Sequence, residues 1–129
     1  LETGFVNIGM YRVSIYDKNT LGMHIAIGHD GQPIRDGYWK KGKAAPVAIC
    51  LGADPWVTDS STTDLGFGEG EYGYAGWLRG KPIEVVKGET TGLPIPATAE
   101  AVIEGEIPTP SDEPLRVEGP WGRGRRILL

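Results

Sequence analysis

The chain has 129 residues, with 17 acidic against 13 basic side chains and a formal net charge of −4. That length carries one compact domain with a core rather than two, and the acidic balance excludes the basic stripe that nucleic-acid binding needs. No apolar run approaches the ~20 residues of a membrane-spanning helix.

The first residues, Leu1-Glu2-Thr3-Gly4, carry neither the basic nor the apolar region of a secretory signal. Without an initiator Met, either processing or a cut from a longer chain is expected. With 20 glycines, 10 prolines and apolar clusters recurring between them, the pattern is one of short strands joined by tight turns.

Residues 10–17 alternate, with Tyr11, Val13 and Ile15 on one face and Arg12, Ser14 and Tyr16 on the other. Asp17-Lys18-Asn19 makes a turn, and Leu21, Met23, Ile25 and Ile27 repeat the period of two, so a hairpin is expected. The breakers His29-Asp30-Gly31-Gln32-Pro33 close it. Residues 34–44 are polar and lysine-rich, with weak helical character.

Ala45–Gly52 is a continuous apolar run and reads as a strand buried on both faces. It holds the single cysteine, Cys50, which is read as a packing residue. One thiol excludes an internal disulfide framework and fits a reducing, cytoplasmic setting. Asp54-Pro55 is an N-cap followed by proline at the first helical position, opening a short helix to Asp59.

Residues 60–70 form a polar loop, and a loop of ~11 residues without structure is usually functional or mobile. A second short helix is expected over 71–79, ended by Gly80-Lys81-Pro82, with strands at 83–87 and 101–106. From 107 onward the chain is rich in Pro, Gly and charge, and an extended tail without regular structure is expected. Its basic cluster, Arg123, Arg125 and Arg126, is interrupted by Gly124 and reads as a solvated tail or a contact with a partner chain. The sum is a mostly antiparallel β domain with two or three short helices, a small barrel.

Unaided, the residues say little about chemistry. There is no phosphate-loop glycine motif, nucleophile elbow or His-Glu-x-x-His helix. Two histidines exclude a histidine-rich metal site, while a site of one His, one carboxylate and one amide oxygen stays open. Ser60-Ser61-Thr62-Thr63 could offer hydroxyl and backbone N–H groups to a phosphate, or be a solvated loop.

Several segments taken together resemble one family. Asn7-Ile8-Gly9-Met10-Tyr11-Arg12 is similar to its Asn-Val-Gly-x-Tyr-Arg opening, and Tyr16–His24 to the segment that follows. Pro46-Val47-Ala48, Leu51-Gly52-Ala53-Asp54-Pro55, Gly76-Trp77-Leu78-Arg79-Gly80 and Glu84-Val85-Val86-Lys87 recur in order. So do Pro96-Ala97-Thr98-Ala99-Glu100, Ile103-Glu104-Gly105 and Glu118-Gly119-Pro120-Trp121-Gly122. This ordered set resembles the UbiD family of prenylated-FMN-dependent (de)carboxylases, similar to 3-octaprenyl-4-hydroxybenzoate carboxy-lyase, over about residues 3–122.

The resemblance implies an α+β, mainly β fold: an antiparallel split β-barrel of the flavin-reductase, FMN-binding type, forming one domain over 1–129 with 107–129 as its tail. It implies prenylated FMN held through its phosphate, a divalent ion such as Mn2+ on that phosphate, and K+ beside it. The metal ligands fall on Asn7, His29 and Glu71, a donor set that suits manganese better than zinc. Cofactor contacts fall on Asn7, Ile8, Gly9, Arg12, Gly28 and the Ser60, Ser61, Thr62, Thr63 loop, with Glu71 serving both ions. His24 matches a family position without a catalytic role and reads as a strand residue.

The implied reaction is reversible loss of carbon dioxide from an aromatic or α,β-unsaturated acid. Arg12 would pair with the substrate carboxylate or with Glu118, and Glu118 would deliver the replacing proton. The family's second acid falls on Arg123, a cation that cannot serve as an acid. Full-length members also have an N-terminal α/β region and a C-terminal domain outside this sequence, so exposed apolar surface, self-association or a complementing chain is expected. The readings are then a (de)carboxylase component, a non-catalytic flavin- or phosphate-binding barrel, or a structural subunit. Asn7, His29 and Glu71 favour the first two, and Arg123 favours the second over the first.

Overall fold

A computed structural model describes residues 4–66, 69–112, 116–118 and 122–128. The chain forms two compact units. One comprises Leu1–Met10 and Ala48–Ile103, the other Tyr11–Val47 and Glu104–Leu129. The class is α+β, with few helices and antiparallel sheets.

In the second unit, β1 (Arg12–Asp17) and β2 (Thr20–His24) form the expected hairpin, Arg12 facing His24 and Asp17 facing Thr20. Lys18 and Asn19 are its two turn residues, and the Asp17 carboxylate accepts the Asn19 N–H at 2.9 Å, a side-chain turn that Asp favours. No described non-glycine residue has positive φ, so the turn is not of the mirror-image type that matches strand twist. The register irregularity between Ile15 and Asp17 absorbs the mismatch. The expected apolar alternation is only partly translated into burial. Leu21 and Met23 are buried, but Ile15 is 83% exposed and Ile27, past the end of β2, is 91% exposed.

Residues 29–44 differ from expectation: they contain a ten-residue helix, α1 (Gly31–Lys40). Its sequence argues weakly for helix because Gly31, Pro33 and Gly37 lower propensity, although proline is tolerated in a first turn. The Asp30 side chain provides no cap. Instead the Gln32 side chain accepts the Gly28 N–H at 3.1 Å, and Trp39 Nε1 reaches the Ile107 carbonyl at 3.4 Å.

β3 (Ala45–Leu51) follows the apolar run, but only Ala45 is fully buried and Leu51 is exposed, so the expectation of burial on both faces is too strong. α2 (Pro55–Ser60) and α3 (Glu71–Arg79) match expectation closely. Asp54 caps α2 through Trp56 N–H at 3.0 Å. Gly80, at φ 76°, ends α3, and Lys81 N–H returns to the Gly76 carbonyl at 3.1 Å, a left-handed cap that glycine permits without steric cost.

The chain doubles back so closely that a Cβ on Gly76 would meet the Lys81 carbonyl at 3.3 Å. β4 (Val85–Lys87) and β5 (Pro94–Pro96) form a separate hairpin. β5 is not evident in the sequence, since two of its three residues lack an N–H. Gly88 N–H to Leu93 O at 2.8 Å and Ala97 N–H to Glu84 O at 2.9 Å supply the flanking bonds.

β6 (Ala101–Ile107) lies where expected. The segment expected to be an extended tail carries β7 (Arg116–Glu118) and β8 (Gly122–Leu128). The larger sheet has the order β1-β2-β8-β6-β3, with β7 paired to β8. The pairings β1–β2, β2–β8, β6–β8 and β7–β8 are antiparallel. Among the described residues, the buried apolar side chains include Val57, Ala75 and Ile95 in the first unit and Leu21, Met23, Ala45 and Ile107 in the second.

Candidate functional site

The clearest constellation is in the first unit. Glu71 is the first residue of α3, where a carboxylate is favoured by the unpaired N–H groups and dipole of the helix start. It is only 5% exposed. Its Oε2 accepts the Ile8 N–H at 3.2 Å, so a carboxylate and a backbone amide 63 residues apart meet directly. Asn7, Ile8 and Gly9 are half-buried around this bond. A buried carboxylate is costly unless hydrogen-bonded or paired with a cation, and this one sits beside the segment that bears Asn7.

α2 and α3 pack against each other, and Asp54 at the start of α2 faces Arg79 at the end of α3, with Oδ2 to Nη2 at 3.9 Å. Glu71 opens α3, and residues 60–63 close α2. All four hydroxyls there are donors to backbone carbonyls. Ser60 reaches Val57 O at 2.9 Å, Ser61 reaches Thr58 O at 2.7 Å, and Thr62 and Thr63 reach Asp59 O at 2.9 and 3.1 Å.

The backbone N–H groups of Ser61, Thr62 and Thr63 bond to Val57 O, Asp59 O and Ser60 O. The donors expected for a phosphate are thus committed within the turn. What remains available is hydroxyl oxygen lone pairs, which suit a cation. Ser60 is fully buried, so Ser61, Thr62 and Thr63 are the reachable hydroxyls.

Tyr72, next to Glu71, secures α3 to β5 through a 2.9 Å bond from its hydroxyl to Pro94 O. Burial, and secondarily the charge of Cys50, raise the Tyr72 phenol pKa well above its ordinary value. Burial likewise raises that of the Cys50 thiol, which fits a packing role and not a nucleophile. Neither Tyr72 nor Arg79 stood out in the sequence, since their partners are 22 and 25 residues away.

The other expected site residues belong to the second unit. Arg12 is exposed at the start of β1. Gly28, at φ 92°, and the exposed His29 lie in the turn before α1. Glu118 ends β7, its backbone paired with Gly122, while Arg123 pairs with Val117; both side chains lie outside the described structure. Among the described residues no three His, Cys, Asp or Glu side chains gather as a metal site. The expected triad has only two residues of those types, with Asn7 as the third.

A family model, that of the 3-octaprenyl-4-hydroxybenzoate carboxy-lyase Rift-related domain, matches residues 1–123. The chain belongs to the UbiD family. Among UbiD relatives, it is 42% identical over 112 residues to the pyrrole-2-carboxylic acid decarboxylase of Pseudomonas aeruginosa, covering 86% of this chain and 22% of that protein.

Among solved structures, it is similar to the closed form of the vanillic acid decarboxylase ShVdcCD of Sedimentibacter hydroxybenzoicus. The TM-score is 0.86 at 29% identity, covering 95% of this chain and 28% of the other. The UbiD-class enzyme HmfF of Pelotomaculum thermopropionicum in complex with FMN gives a TM-score of 0.86 at 25% identity, covering 98% and 30%. An evolved dimeric form of HmfF in complex with prFMN gives 0.83 at 25% identity, covering 95% and 30%. The chain spans about a quarter of the length of the curated relatives it matches.

Proposed function

We propose that this chain is the cofactor-holding part of a UbiD-type reversible decarboxylase, a single domain built as a split β-barrel of the flavin-reductase type. It acts, within a larger assembly, on an aromatic or α,β-unsaturated carboxylic acid. The observation that carries the reading is the buried Glu71 carboxylate bonded to the Ile8 amide, which joins two segments that the family resemblance assigns to one metal and cofactor site.

The donor chemistry fits the implied group. An Asn7 amide oxygen, a His29 imidazole nitrogen and a Glu71 carboxylate suit a divalent ion such as Mn2+. The committed hydroxyls of the 61–63 turn offer oxygen to K+. When bound, prenylated FMN supplies the electron sink that carbon–carbon cleavage requires. The protein's own part is to bind and protonate. Arg12 pairs with the substrate carboxylate in the two-pronged manner of guanidinium groups. Glu118 gives the proton that takes the place of carbon dioxide, and retrieves it in the carboxylation direction.

Assembly with further chains is supported by the exposure of Ile15, Ile27 and Trp77, the last 73% exposed. Among the described residues no helix is long and apolar enough to cross a membrane. That, with one unpaired thiol, supports a cytoplasmic setting. A second reading, binding without turnover, is favoured by Arg123 standing where the family has an acid.

The test is reconstitution with prenylated FMN and MnCl2, followed by visible absorbance, mass spectrometry and metal analysis. Stable retention of both is expected, and Glu71→Gln should lose the divalent ion. Failure of the unaltered chain to retain either group would overturn the cofactor assignment. In an active assembly, Glu118→Gln should abolish carbon dioxide exchange while keeping the cofactor; unchanged exchange would reject Glu118 as the acid.

A further inference from the structure

We propose that Asp54 and Arg79 form a positioning clamp: by tying the start of α2 to the end of α3, they fix the Ser61–Thr63 turn relative to Glu71. This rests on the reading of that turn and Glu71 as the cofactor-holding end of the unit.

α2 has only six residues, about 9 Å at 1.5 Å per residue. A helix so short cannot sustain itself, because nucleation is unfavourable and few bonds follow it. Its cap and its site-bearing end are under two turns apart, so a change in the angle of the first displaces the second. The clamp acts where that angle is set.

The two oxygens of Asp54 are divided between tasks. Oδ1 accepts the Trp56 N–H at 3.0 Å and caps α2; Oδ2 faces the Arg79 guanidinium at 3.9 Å. The first holds α2 to its own start, whereas the second spans two helices and adds to the packing that sets the angle between them. Each charge also lies at the helix end that favours it, Asp54 at the start of α2 and Arg79 in the last turn of α3. Their side chains are 16% and 19% exposed, respectively, which limits screening by salt.

Glu71 lies at the opposite end of α3 from Arg79, and Ser60 and Glu71 are both buried. α3 thus has a tied end at Arg79 and a working end at Glu71. This gives a role to two sequence blocks, Leu51–Pro55 and Gly76–Gly80, that carry the family resemblance but supply none of its reacting groups.

The test separates clamp from cap. Asp54→Asn retains the cap, since Asn serves there as well as Asp, but removes the charge. Arg79→Met removes the charge and keeps the stem, and Arg79→Lys keeps a cation. Amide hydrogen exchange of Ser61, Thr62 and Thr63 is measured against that of Leu21 and Met23 in β2. Asp54→Asn and Arg79→Met are each expected to speed exchange in the turn alone, by roughly three- to tenfold for a part-shielded pair. The double variant should be no worse than either single one, and Arg79→Lys should recover most of the protection.

The same variants should weaken binding of Mn2+ with FMN as probe ligands, read by electron paramagnetic resonance. Unchanged exchange in the turn, a uniform rise that includes β2, or additive effects in the double variant would each overturn the clamp. If the unaltered chain binds neither probe, the functional reading fails, while the exchange measurement still decides the clamp.

Discussion

Helices α3 and α1 are nearly equal in length, nine and ten residues, yet are secured in different ways. α3 buries Glu71 and Ala75, ends on a left-handed glycine, and is tied at one end to Ile8 and at the other to Asp54. α1 has no fully buried side chain and no side-chain cap. It is held by groups along its flank. Arg35 grips Asp36 through two bonds of 2.9 and 2.7 Å and lies over the Trp39 ring at 4.3 Å, while Trp39 reaches Ile107. A helix anchored through buried groups transmits a displacement at one end to the other. A helix held along its flank can lose one attachment and keep its place.

The strongest way to break this contrast is to overfill α3. Ala75 has no exposed surface, so Ala75→Leu should cost about 1–3 kcal/mol in urea denaturation. Arg35→Met in α1 should cost less than about 1 kcal/mol. If the order is reversed, the contrast is wrong.

Next in size is Tyr72→Phe, which leaves Pro94 O without its donor and should cost about 1 kcal/mol at neutral pH. The sign of its pH dependence follows from the raised phenol pKa. Folded Tyr72 keeps its proton when the unfolded chain, titrating near ~10, has begun to lose its own. The Tyr72 contribution is therefore complete below that pH and declines as pH rises above it. Melting temperatures of the two proteins should converge above pH ~10, and a constant gap would contradict the burial of Tyr72.

The smallest effect has the opposite sign. Gly73 is exposed within α3, and an added Cβ would meet nothing within 4 Å. Gly73→Ala should stabilise by about 0.5–1 kcal/mol, measured by thermal unfolding.

The same contrast explains what could be read from the sequence. α2 and α3 were legible because their ends are written locally, in Asp54-Pro55 and in Gly80. α1 was not, because its attachment through Trp39 lies 68 residues away at Ile107 and its own glycines argue against a helix. β5 was hidden by Pro94 and Pro96, and β8 by a run of Gly and Arg that has no apolar alternation. Its strand character comes from pairing with β2 and β6.

At the site, the polar loop drew notice by composition, but which atoms it commits internally became visible only in three dimensions. The Glu71–Ile8 bond spans 63 residues, and no local pattern encodes it. The family resemblance brought the two segments together before the geometry did.

The β4–β5 hairpin has a practical consequence. Val85, Val86, Lys87, Glu89 and Thr90 are all exposed, and the turn between the strands is closed by the Gly88–Leu93 bond. Exposed turns of this kind accept inserted sequence, whereas the tight return over Gly76 leaves no room for it. A short tetracysteine tag or a fluorophore placed between Glu89 and Thr90 would give a reporter on the unit that contains Glu71, attached without altering any candidate ligand.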